Sequence, residues 1–155
     1  MSFRITGLSP EPFRHLYGLS DADLARQGAC RIAVDHAPGY PDRIEVRDAE
    51  PGESVLLVNY THQPADTPFR SSYAIYVREG ADTAYDAVGE VPTAIRGRVI
   101  SLRAFDDDGM LIDGDLADGA DLAPLIARML ADPRAAYLHA HYAKPGCYAA
   151  RIDRA

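Results

Sequence analysis

Hydrophobic residues recur along this chain with two periods. Phe13, Leu16 and Tyr17 follow Ser9-Pro10 at helical spacing, which predicts a short helix with Ser9 as cap, Pro10 at its first position and Gly18 at its end. Ser20-Asp21-Ala22-Asp23 predicts a second short helix that stops near Gly28. The period then falls to two. Cys30, Ile32 and Val34 alternate with Arg31, Ala33 and Asp35, which predicts a strand with Cys30 on its core face. Ile44 and Val46 predict another. Val55 to Val58 is apolar on both faces and predicts a central strand, whereas Tyr73, Ile75 and Val77 mark the next one. Residues 61 to 70, with Pro64 and Pro68, read as a loop, and residues 79 to 97 as a loop with one helical turn near Pro92.

Further on, Val99 to Phe105 and Met110 to Leu116 flank Asp108-Gly109, a turn pair that favours a hairpin. Leu122, Leu125, Ile126, Met129 and Leu130 then form one broad apolar face, which predicts a longer helix near 121–131 capped by Asp121 and ended by Asp132-Pro133. Ala136 to Ala143 and Cys147 to Ile152 flank Lys144-Pro145-Gly146 as a final hairpin. Short helices, many hairpin strands, one helix and a hairpin make an α+β fold with a mainly antiparallel sheet, read as a single domain over 1–155.

Composition adds exclusions. The chain has 155 residues and a formal net charge of -7, a field that repels phosphate backbones, so no nucleic-acid partner is expected. No apolar run approaches the length that crosses a bilayer, so no membrane partner is expected either. Cys30 and Cys147 do not form a disulfide scaffold and no signal peptide is recognisable; a cytoplasmic location with free thiols is the expectation.

Candidate chemistry gathers in two segments. In Tyr137-Leu138-His139-Ala140-His141 the two histidines share one strand face and could act as two ligands of a transition metal, with His62 or Cys147 as a third. The register of the final hairpin decides where Cys147 points. A two-residue turn pairs His141 with Ala150 and puts the thiol on the opposite face; a loop one residue longer pairs Ala143 with Cys147 and brings it to the histidine face. The segment Asn59 to Tyr73 carries His62, Arg70, Ser71 and Tyr73, groups suited to a small anionic ligand. The acidic run Asp106 to Asp121 fails as a calcium loop, because Ala104 falls where the first ligand must be. Dinucleotide, Walker-type, nucleophile-elbow and zincin motifs are absent.

The chain resembles, over nearly its whole length, a bacterial family known as domain of unknown function 1203. The resemblance rests on Pro38-Gly39-Tyr40-Pro41 through Glu53, on Asn59-Tyr60-Thr61-His62-Gln63-Pro64 through Glu79, and on Leu138-His139-Ala140-His141 through Arg151. It implies no activity, substrate or cofactor. Members resembling this chain often carry Cys at the place of Asp42 and Asn at that of Tyr142, so the resemblance does not supply a thiol pair here. Three readings follow: a small-molecule enzyme assisted by a metal at His139 and His141, a module gripping a small anion through Arg70, or a non-catalytic interaction protein forming a homodimer through an edge strand.

Overall fold

The computed structural model describes residues 2–155. Phe3–Thr6 forms β1, and a single 3-10 turn follows at Arg14–Leu16 where the first helix was predicted. Helix α1, Asp21–Arg26, is capped as expected: the Ser20 side chain accepts from the Asp23 N–H. The next strands are β2 (Cys30–Ala33), β3 (Ser54–Gln63), β4 (Ser71–Arg78) and β5 (Asp86–Val88). Helix α2 is a single turn at Thr93–Arg96, after Pro92. Then come β6 (Val99–Phe105), β7 (Leu111–Asp118), α3 (Leu122–Leu130), β8 (Tyr137–Tyr142) and β9 (Tyr148–Arg154). The strands form two antiparallel sheets, one of order β5-β1-β9-β8-β6-β7 and one of order β2-β3-β4. The fold class is α+β.

One face of the six-stranded sheet is a hydrophobic floor. Ile100, Leu102 and Ala104 of β6 alternate inward, as do Leu138, Ala140 and Tyr142 of β8, and they meet Leu122, Ile126, Met129 and Leu130 of α3. The opposite face of β6 and β8 carries Ser101, Arg103, His139 and His141, and this polar face becomes the floor of a site. A second cluster packs Phe13, Leu16 and Leu24 over Leu56, Val58, Ile75 and Val77 of the small sheet.

Several expectations change. Cys30 is exposed, because β2 is an edge strand whose inward residue is Val34 beyond its end. Ile44 and Val46 are buried but form no strand. The segment turns sharply there, with Val46 at φ 50° and Asp42 taking backbone N–H groups that a ladder would otherwise use. β3 runs on through residues 61 to 63, so the loop is confined to 64–70 and His62 is a strand residue. Asp121 stands at the N-cap of α3 without a side-chain hydrogen bond. β1 and β5 were not anticipated, being too short for alternation to register.

The hairpin at Asp108-Gly109 forms as predicted. Gly109 has φ 81°, and a Cβ there would meet the Cβ of Ala65 at 2.4 Å. The Thr67 hydroxyl donates to Gly109 O at 3.3 Å. The hairpin tip therefore rests against loop 64–70, and glycine is required by backbone angle and by space together.

Candidate functional site

Three imidazoles converge on the polar face of the large sheet. His139 and His141 come from β8 and share its face by strand period alone. His62 arrives from the other sheet. It sits at a break in the β3–β4 register, where Thr61 pairs with Ser72 and Gln63 with Ser71, so that His62 is the extra residue of a bulge and its side chain is re-aimed. Ring centroids lie 5.0 Å apart for His62–His141 and 6.3 Å for both His62–His139 and His139–His141. Tyr148 stacks on His62 at 5.6 Å.

A second bulge brings Tyr148 there. Over Leu138–Ala140 the final hairpin keeps the register that would place Cys147 on the histidine face. Ala149 is then bulged out, so that His141 faces Tyr148 and Tyr142 N donates to Cys147 O at 2.9 Å. Tyr148 and Cys147 exchange faces. Neither predicted register describes the whole hairpin, and Cys147 is buried on the core side, away from the histidines.

The histidines are electrically neutral at pH 7. Burial first, then the neighbouring histidines and arginines, pushes His139 down to about 3. Burial pushes His141 down to about 4 against the opposing bond to Gly146. His62, which is less deeply buried, is also lowered, again by burial first and then by the charge of Arg103. The His141 Nδ1–H donates to Gly146 O at 3.0 Å, which leaves Nε2 as the bare lone pair. Among the described residues four buried side-chain polar atoms lack a hydrogen-bond partner, and three belong here: His62 Nδ1, His139 Nδ1 and His141 Nε2. Orphaned buried groups are costly and uncommon, and three of the four lie in this one cluster.

Arg103 stands beside them, directly opposite His139 in the β6–β8 ladder, with Ser101 opposite His141. Its Nε donates to Ser101 Oγ at 3.3 Å, and among the described residues it has no carboxylate partner. A cavity of about 440 Å³ opens over this face, lined by His62, Ser71, Ser101, Arg103, Asp115 and His141 among others. Asp115 is engaged with Arg128 at 2.9 Å. Among the described residues no group of three or more His, Cys, Asp or Glu side chains is placed to hold a metal ion.

Of the residues singled out from the sequence, His62, Ser71, His139 and His141 meet here. Arg70 is exposed, donates to Pro64 O at 3.1 Å and reaches neither cavity. Tyr73 and Cys147 line a different cavity. Arg103 was missed. Its place between Leu102 and Ala104 marked it as facing away from the core, but nothing local showed that His139 lies across from it.

The family model described as protein of unknown function (DUF1203) matches residues 39–154, a span that includes every residue of this cluster. No curated protein and no solved structure matches the chain.

Proposed function

The chain belongs to the DUF1203 family of unknown function, which carries no activity with it, and we propose from its geometry that it binds a small anionic molecule in the histidine cavity. The observation behind this reading is the conjunction of three orphaned imidazole nitrogens with an arginine that lacks a counter-ion. A carboxylate or phosphate on Arg103 would supply that counter-ion, Ser101 and Ser71 would donate to its remaining oxygens, and the bare Nε2 of His141 would accept from an O–H or N–H elsewhere on the ligand. The cavity has the size of ordinary ligand sites, roughly 300–1,000 Å³.

Binding comes before catalysis in this reading. General acids and bases work best with pKa values near the operating pH, and His139 and His141 are held far below it. They act as neutral hydrogen-bonding groups, which leaves His62 as the base if chemistry occurs. The metal-assisted form uses the same neutral lone pairs, with His139, His141 and His62 as ligands of a transition metal. It requires at least one imidazole to turn, since the three rings as they stand are not placed to hold one metal ion.

The experiment is a thermal-shift and calorimetric titration of protein freed of metal, using inorganic phosphate, succinate and, separately, Zn²⁺ and Ni²⁺. An anion that stabilises the parent and not Arg103→Gln supports the anion site. Stoichiometric metal uptake that disappears in His139→Ala/His141→Ala supports the metal-assisted form. No response to any of the four probes overturns the reading. The homodimer reading has one observation of its own: the free part of edge strand β4, Ser71–Ala74, is exposed from Ser72 and carries no charge to block pairing. Light scattering across a concentration series would show a dimer that Ala74→Lys dissociates.

A further inference from the structure

The larger cavity, about 580 Å³, lies on the other side of β8, between the final hairpin and the edge of the small sheet. Its walls are mostly apolar and aromatic, from Pro41, Tyr73, Ile75, Tyr76 and Val99. Its polar groups are unusual. Arg43 is 1% exposed, yet among the described residues no carboxylate pairs with it. Its guanidinium donates to Tyr148 O at 2.8 Å, Pro41 O at 2.5 Å and Cys147 Sγ at 2.8 Å. A buried charge whose only acceptors are neutral is expensive to keep. Tyr142 is 2% exposed, and its ring lies under Arg43 at 5.0 Å and Arg98 at 5.2 Å. Its hydroxyl is the fourth orphaned buried atom. Arg43, Arg98 and Lys144 line the cavity and no carboxylate does, although Asp48 pairs with Arg98 at 2.6 Å.

We infer that this cavity is a second ligand site, for a small apolar or aromatic molecule bearing one anionic group. The anionic group would face Arg43 and accept from the Tyr142 hydroxyl, and the Cys147 thiol would lie at the inner end of the bound molecule. The apolar walls take the body of the ligand by burial, and the surplus of cations selects its charge. One anionic group would supply the counter-charge that Arg43 lacks and the acceptor that the Tyr142 hydroxyl lacks. This site shares no lining residue with the histidine cavity, so it stands or falls separately.

The test uses Cys147 as a reporter of occupancy. In a Cys30→Ser background, which removes the exposed thiol, Cys147 alkylation by iodoacetamide is followed by mass spectrometry with benzoate, phenylacetate, hexanoate or benzamide present. The expected result is slow but measurable alkylation of the free protein. At least one of the three carboxylates slows it roughly tenfold at ten times its Kd, while neutral benzamide does not. Tyr142→Phe, which removes only an oxygen without a partner, should keep the Tm of the parent and weaken the protection. Tyr73→Ala, at an exposed wall position, should weaken it too. Protection by benzamide equal to that by benzoate would overturn the charge selection. No protection by any carboxylate at millimolar concentration, or no alkylation in the free protein, would overturn the site.

Discussion

At the scale of single residues, the decisive features are polar groups buried without the usual partners, or with unusually many. Asp42 is fully buried, and its carboxylate accepts from the Glu45 and Arg78 N–H groups, both at 2.6 Å. Burial, chiefly, pushes its pKa up even though these bonds oppose it. Asp42→Ala strands two buried donors, each costing about 1–3 kcal/mol. Urea denaturation should therefore show a loss of about 2–6 kcal/mol, with Asp42→Asn losing less because one acceptor remains. Tyr142→Phe is the converse. Its hydroxyl has no partner to lose, so the free protein should be as stable as the parent or slightly more so. A drop in Tm of several degrees would show that the hydroxyl is bonded after all. Arg103→Gln belongs to the same scale, since it removes the one charge in the histidine cavity that no carboxylate matches.

At the scale of elements, bulges and turns place what the strands merely carry. The hairpin of β6 and β7 depends on Gly109, whose left-handed φ and contact with Ala65 leave no room for a side chain. Gly109→Ala should cost about 1–3 kcal/mol. It should also raise hydrogen exchange in loop 64–70, which the hairpin tip holds through Thr67. Exchange confined to the hairpin itself would mean that the loop is held by other contacts. Loosening this loop should weaken any ligand of the histidine cavity, because Ser71 lies directly beyond it.

At the scale of the whole molecule, the histidine cluster couples folding to pH. Above the unfolded value of about 6.5, His139 and His141 are neutral in both states and contribute no pH dependence. Below it, the unfolded chain takes up protons that the native protein refuses until about pH 4 for His141 and about pH 3 for His139. The unfolded state thus binds more protons, and stability falls as pH drops through this window. The limiting slope is about 1.4 kcal/mol per pH unit for each histidine. Denaturation midpoints at pH 7.5, 6.0 and 5.0 should fall along the series, and His139→Phe/His141→Phe should flatten it. An equally steep series in that variant would assign the acid sensitivity to other groups. A ligand held by the lone pairs of His139 and His141 should add much the same stability at each of these pH values, because both rings stay neutral in the native protein down to about pH 4.

What the sequence determined by itself was periodicity and everything that follows from it. Alternation along residues 99–105 and 137–142 sets which side chains share a face, and so put His139 with His141 and kept Arg103 off the core. The 3.6-residue stripe from Leu122 to Leu130 fixed the one substantial helix, and the turn residues fixed the two late hairpins. These are local properties, decided by backbone geometry within a few residues. Tertiary structure alone decided the rest, because strand pairing and bulges join residues far apart in the chain. One extra residue at His62 turns that side chain toward β8, and one at Ala149 exchanges Tyr148 with Cys147. A shift of a single residue in a period-two element reverses every face beyond it. Whether the thiol met the histidines or the buried Arg43 therefore depended on a bulge that no local pattern announces.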